Sequence, residues 1–301
     1  MTTTPTTPAT LTAADPLSDV FAPELRPVLR RLGERPLSAE AASAQGAVWA
    51  ALAQAGALHD PQAALPVAEL LGETLYRGPY LDTVAAVEAL AALPASPRTA
   101  ELLDALRAGE FAAALAGPDR RFVRCADQAD LLLTVDGAEF GVVELDRPGV
   151  RLTEHADLGG GGLFTVEVAA DVPLVLSGRL ADPRALTDRI RSGQAAYLAG
   201  LSRGALDLAT AHARRRTVFG KPLGAHQSPA FRLAALAARL EAVRSLIHCA
   251  DEPAHALRLA RELAVDTATE TLQLHGASGL LDEDDAQLFY RRALTESALR
   301  R

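Results

Sequence analysis

Residues 216–227 read RTVFGKPLGAHQ, and this stretch separates two long regions of helical period. Before it, Ile190, Tyr197, Leu201 and Leu208 step by seven and four; after it, Leu233, Leu236, Leu240, Val243 and Ile247 step by three and four. Each series puts apolar side chains on one face of a helix, and such a face must be buried against another. Gly220 to Gly224 break the period between the two. Further breaks at residues 251–253 and 276–285 divide residues 183–301 into four helices, with lengths suited to an antiparallel bundle.

Working outward, the texture changes between Phe122 and Ser177 to the short runs RFV, ADLLLTV, FGVVEL, GVRL and LFTVEVA, separated by DG, RPG and GGGG. Rich in β-branched and aromatic residues and bounded by turn formers, they predict roughly five strands in a small sheet or barrel-like middle domain over residues 117–182. Residues 16–116 are dominated by alanine and leucine and interrupted by Pro36, Pro61, Pro66, Pro79, Pro94 and Pro97, which predicts short helices joined by proline turns. Residues 1–15 are rich in Thr, Pro and Ala without apolar period and are expected to form a disordered tail. The fold class expected is α+β, mainly α, in the order helical module, small sheet, four-helix bundle.

The 301 residues, 49% of them hydrophobic and 23% charged, are enough for one large domain or a few modules around real cores. A formal charge of −8 argues against nucleic acid as partner, because binding a phosphate backbone needs a broad cationic face. Cys125 and Cys249 cannot make a disulfide framework, and MTTTPTTPAT shows neither the basic nor the apolar region of a leader, so a cytoplasmic protein is expected. Uninterrupted apolar stretches of the roughly 18 residues needed to span a membrane are absent from the sequence. His248, Cys249, Asp251, Glu252 and His255 cluster without a zinc-like spacing, so no metal is expected. The run Gly159 to Gly162 precedes a strand rather than a helix and reads as a turn, not a phosphate loop.

Six strings, in order, resemble the acyl-CoA dehydrogenase family. Trp49 to Gly56 is similar to its W-x-x-L-x-x-x-G, and Pro79-Tyr80-Leu81-Asp82-Thr83 to its P-Y-L-x-T. Leu106 to Glu110 resembles L-x-x-G-E, and residues 162–173, GLFTVEVAADVP, resemble the last sheet strand and its exit into the bundle. Residues 216–227 match R-x-x-F-G-x-x-L-x-x-x-Q, and Gln273 to Gly279 resembles Q-x-x-G-G-x-G, followed by Tyr290-Arg291-Arg292-Ala293. The resemblance implies an oligomer in which FAD lies between subunits, an acyl-CoA thioester stacked against the flavin, and a glutamate that removes the α-proton. It implies fatty acid or sterol side-chain substrates, and cofactor-binding roles for Arg216, Phe219, Gln227, Gln273, Gly276 and Gly279. A guanidinium at a helix end suits a diphosphate, two glutamines can donate to phosphate or ribose, and two glycines permit close backbone approach, although Ala277 replaces the second glycine of the motif.

Two features of the family pattern are missing. The glutamate's two known places fall, by counting, on Arg300 and on Ile190, neither of them acidic. The T-E-P-x-x-G-S-D-like loop that wraps the flavin has no counterpart, because residues 113–122, AALAGPDRRF, run straight into a later strand; the chain also stops where the family continues. Glu296, four residues before Arg300, is about 6 Å from it on nearly the same helix face and is a candidate base, as is Asp188 near Ile190. The ordinary reading of Glu296 is a solvated last-turn glutamate. Three functional readings follow: a non-catalytic or half-site subunit of a heteromer with a full-length acyl-CoA dehydrogenase, sharing FAD across the interface; a homomeric dehydrogenase with a shifted base; or a flavin-free enzyme or binding scaffold on the same fold.

Overall fold

The computed structural model describes residues 39–59, 63–249, 252–281 and 284–299. The tail expected over residues 1–15 lies outside them, as do Pro36 and Pro61. The helical module contains α1 (Ala39–Gln54), α2 (Ala64–Glu73), α3 (Tyr80–Ala91) and α4 (Pro97–Ala108). Pro79 stands at the N-cap of α3 and Pro97 opens α4, while Pro66 sits within the first turn of α2, where a missing N–H costs nothing. Ser96 caps α4 by accepting from the Thr99 N–H, and Gly109 ends it in the left-handed region. The Gly109 carbonyl then accepts the Trp49 indole N–H at 2.9 Å, so two of the family-like strings meet in one contact.

The middle region holds seven strands rather than five: β1 (Ala113–Ala116), β2 (Val123–Arg124), β3 (Leu131–Asp136), β4 (Glu139–Glu144), β5 (Val150–His155), β6 (Leu163–Val168) and β7 (Leu176–Arg179). They form a four-stranded sheet, β1-β3-β4-β7, and a three-stranded sheet, β2-β6-β5. The pairing of β1 with β3 is parallel, the others antiparallel. Strand β1 reads AALA, which carries no strand signal, and it falls inside the stretch expected to be helical. Its pairing is tertiary in origin. Helix α3 completes its open edge, since the Asp82 carboxylate accepts from the Leu115 N–H at 3.0 Å and the Thr83 hydroxyl from the Ala113 N–H at 3.0 Å. The P-Y-L-D-T string thus acts here as a seal on a sheet edge. Ala114, Ala116 and Leu132 of one sheet pack on Val123, Phe164 and Val166 of the other, and a second core joins α3 and α4 to the outer face of β1, β3 and β4.

The four expected bundle helices are present: α5 (Pro183–Arg215), α6 (Gln227–Cys249), α7 (Pro253–His275) and α8 (Asp285–Ala298). Between α5 and α6 the decisive stretch makes a small hairpin, β8 (Thr217–Val218) and β9 (Lys221–Pro222). At 33 residues, α5 is the spine of the molecule. It crosses α2 with almost no separation: a Cβ added at Gly200 would lie 1.9 Å from the Glu69 carbonyl oxygen, and one at Gly72 would lie 2.0 Å from that of Tyr197. The largest core runs through this crossing, joining α1 and α2 to the inner faces of α5 to α8. Among the described residues no helix is long and apolar enough to cross a membrane.

Candidate functional site

The sequence-predicted cofactor residues gather at one end of the bundle. Arg216 follows the last turn of α5 in extended backbone, donating its N–H to the His212 carbonyl at 2.8 Å and accepting from the Leu223 N–H at 2.7 Å. The hairpin beyond it turns on Phe219 and Gly220, with φ of 50° and 76°. Two successive positive φ values make the tight turn that matches strand twist, and the second position takes glycine without strain. The first does not: an aromatic residue there costs about 1–3 kcal/mol. The Phe219 ring nevertheless stands 94% exposed, with the His226 ring edge-on at 6.3 Å. His226 Nε2 lies 3.0 Å from the Val218 carbonyl oxygen and fixes the hairpin to the start of α6, where Gln227 is exposed.

The ends of α5 and α7 are joined by the stacked rings of His212 and His275, whose centroids are 4.0 Å apart. Burial, the His275 ring and then Arg215 and Arg216 depress the His212 pKa, against a partial pull upward from Asp284. Arg214, Arg215 and Arg216 are all exposed beside this pair, so the bundle end presents a cationic face to solvent. Gln273 is exposed on the last turn of α7, and Gly276 has φ 65° with open space where a Cβ would be. Gly279 differs in kind: it is buried, and a Cβ there would come within 2.8 Å of the His275 Cβ. Its lack of a side chain serves packing under the turn.

A second site was not foreseen. A cavity of about 500 Å³ lies where β1 and β3 meet the first turns of α5 and the end of α8. Leu115, Val135, Leu186, Ile190 and Leu299 make it largely apolar, and Phe122 flanks it at φ 55° with the His155 ring 5.1 Å away. Ile190 is one of the two positions that counting assigns to the base; the other, Arg300, lies outside the described residues, but Leu299 before it lines the same cavity. Of the described residues around it, Asp119 alone is acidic; it is exposed, with one carboxylate oxygen 3.4 Å from the Arg121 backbone N. Gly117, Asp119, Arg121 and Phe122 of this wall lie in the run AALAGPDRRF, in which no motif signals a site.

Neither candidate base lines the cavity. Asp188, half-buried, accepts from Arg191 at 3.0 Å. Glu296 is not the solvated last-turn residue expected: it is 7% exposed and ion-paired with Arg124 of β2. Burial is the largest single influence and works against the Arg124 charge, but Glu296 together with Cys125, Tyr197 and Asp82 outweighs it, and the guanidinium pKa is raised. The Arg124 guanidinium lies 6.0 Å over the Tyr197 ring. Arg292, from the Tyr-Arg-Arg-Ala string, is buried beside it and donates to the Gly159 carbonyl at 3.0 Å, to the Leu75 carbonyl at 3.4 Å and to the Tyr197 hydroxyl at 3.0 Å. This string and the glycine run therefore hold the modules together, and the Glu296 carboxylate is turned to Arg124 rather than to the cavity.

Residues 184–299 match the family model described as acyl-CoA dehydrogenase, C-terminal domain. That stretch is what the chain shares with the C-terminal domain of the acyl-CoA dehydrogenases. Among curated members the chain is 27% identical over 236 residues to acyl-CoA dehydrogenase IpdE2 of Mycolicibacterium smegmatis, covering 75% of this chain and 70% of that one. Among solved structures it resembles the ChsE4-ChsE5 complex of Mycobacterium tuberculosis with a TM-score of 0.78 and 21% identity, over 97% of this chain and 93% of that one. A glutaryl-CoA dehydrogenase of Mycobacterium smegmatis in complex with FADH2 matches with a TM-score of 0.73 and 17% identity, over 94% of this chain and 90% of that one. The acyl-CoA dehydrogenase fold accounts for the order of helical module, sheets and bundle seen here.

Proposed function

We propose that this chain is the half-site subunit of a cytoplasmic heteromer with a full-length acyl-CoA dehydrogenase, which carries out flavin-dependent α,β-dehydrogenation of an acyl-CoA. The observation that carries this reading is the exposed Phe219 beside Arg216: an aromatic ring held in costly backbone geometry and left in water, next to an exposed guanidinium, is half of a site. The donor set suits FAD. Arg216 would hold the diphosphate through paired N–H groups, Gln227 and Gln273 would donate to phosphate or ribose oxygens, Phe219 would stack, and Gly276 leaves room for the backbone to approach. When bound, the flavin supplies the acceptor for the substrate's β-hydride. The proton is another matter, because the cavity beside Ile190 offers no buried carboxylate among the described residues and Glu296 is tied to Arg124. The base therefore belongs to the other subunit, and a complex of two differently named chains, as in ChsE4-ChsE5, is the arrangement this requires.

The test is purification with and without a co-expressed full-length relative. The expected result is colourless protein alone and a yellow complex together, whose flavin is bleached by acyl-CoA. Yellow, acyl-CoA-reducible protein from this chain alone would sink the half-site reading; absence of flavin in every pairing would leave a flavin-free scaffold.

A further inference from the structure

The cavity beside Ile190 is left without a task by the half-site reading. Ile190 and Arg216 are 26 residues apart on and just beyond one helix, a distance of about 40 Å, so the cofactor-facing groups at the far end of α5 do not reach it. Its walls are apolar: Leu115 and Val135 come from the sheet, Leu186 and Ile190 from α5, and Leu299 from the end of α8. The Thr187 hydroxyl, also on the wall, is spent on the Pro183 carbonyl at 2.9 Å. At about 500 Å³ the room is of the size that encloses a small organic ligand. Its mouth is the run 117–122, exposed except for the half-buried Arg120. Arg120 and Phe122 hold φ of 48° and 55°, costly geometry for residues with side chains, on either side of Arg121. The turn is fixed all the same. The Arg120 carbonyl accepts the Val166 N–H at 2.9 Å, Arg120 Nε donates to the Thr134 hydroxyl at 3.3 Å, and the Phe122 ring lies against His155. The Arg121 guanidinium, 5.4 Å from the Phe122 ring, is ion-paired with no carboxylate among the described residues.

We propose that this cavity binds a free apolar monocarboxylate, its hydrocarbon among Leu115, Leu186, Ile190 and Leu299 and its carboxylate on the Arg121 guanidinium. Such walls favour hydrocarbon over water, and one unpaired guanidinium suits one carboxylate, to which it donates two parallel N–H bonds. Charge selects a free acid over a CoA thioester. The several phosphate charges of CoA would meet Arg121 alone among the cations of the described lining, and Asp119 beside it would repel the surplus. The site holds its ligand without reacting, because no buried acid of the described lining faces the hydrocarbon to take a proton from it.

Calorimetric titration of the full chain alone with decanoate, 1-decanol and decanoyl-CoA tests the proposal. Neither flavin nor a second chain enters the readout, so it stands or falls apart from the half-site reading. Decanoate is expected to bind at one per chain, at least tenfold more tightly than 1-decanol, which has the same hydrocarbon without the charge, and more tightly than decanoyl-CoA. Arg121→Ala is expected to weaken decanoate by roughly ten- to a hundredfold, the weight of a charge-assisted hydrogen bond, and to leave 1-decanol unchanged. Ile190→Trp fills the cavity and is expected to abolish uptake of both; Leu299→Trp takes its place if that variant does not fold. Wild type that takes up no decanoate overturns the proposal, as do equal affinities for decanoate and 1-decanol. So does decanoyl-CoA binding more tightly than decanoate, an Arg121→Ala protein that binds decanoate like wild type, or uptake that persists in the filled variant.

Discussion

Glu296 shows how far a single residue can be read from spacing. Counting put it near the position of Arg300 as a candidate base, but its side chain is taken by Arg124, 172 positions away in sequence, and no local pattern announces that distance. Glu296→Ala leaves a guanidinium buried without its counter-charge, and the expected loss is about 3–5 kcal/mol of stability, measured by denaturant unfolding. An unchanged midpoint would return Glu296 to the pool of free carboxylates. Asp157 is a second residue whose role emerges from its surroundings. Burial opposes its charge, yet the Thr295 hydroxyl, the Gly161 and Gly159 N–H groups and Arg292 hold its pKa below the usual value. A carboxyl with a depressed folded pKa contributes stability that is fully present above its unfolded pKa of about 3.9 and fades as pH falls through the lower folded value. Asp157→Asn is therefore expected to flatten the acid limb of stability below about pH 4, checked by thermal unfolding across pH.

At the level of elements, the bundle was legible and the sheet edge was not. Stripes such as Leu236, Leu240, Val243 and Ile247 report their own burial, and the punctuation around Gly220 and Pro253 marks real helix ends. Strand β1 reports nothing, because AALA becomes a strand only when β3 on one side and Asp82 and Thr83 on the other satisfy its backbone. The crossing of α2 and α5 was equally silent, since a glycine inside a helix reads as a weakness. Gly200→Ala gains about 1 kcal/mol in helix propensity, but its methyl would sit 1.9 Å from the Glu69 carbonyl oxygen. Overpacking of a fixed contact costs about 1–3 kcal/mol, so net destabilisation is expected by thermal melting. A stabilised Gly200→Ala protein would show that the two helices can part.

For the whole molecule, the family strings proved to be of two kinds. Those around Trp49, Tyr80 and Arg292 build internal joints, whereas those around Arg216, Gln227 and Gln273 face outward and find no internal use that would explain them. The cavity beside Ile190 escaped sequence reading because its walls come from β1, β3, α5 and the end of α8, which no window of sequence contains. On the half-site proposal a second chain would complete the outward set, and its prediction is made for that complex. Arg216→Ala in the co-expressed complex removes a charge-assisted hydrogen bond of about 1.5–3 kcal/mol, equivalent to roughly ten- to a hundredfold weaker flavin retention. Flavin occupancy after dialysis measures it, and undiminished occupancy would remove Arg216 from the diphosphate. Arg292 sets a condition of another sort. It clasps Leu75, Gly159 and Tyr197 from a helix that follows all three in the chain, so a ribosome must deliver α8 before the earlier modules can be locked together. Until then that clasp stands open although α2 can already rest on α5, and a pause in translation upstream of α8 would prolong the interval.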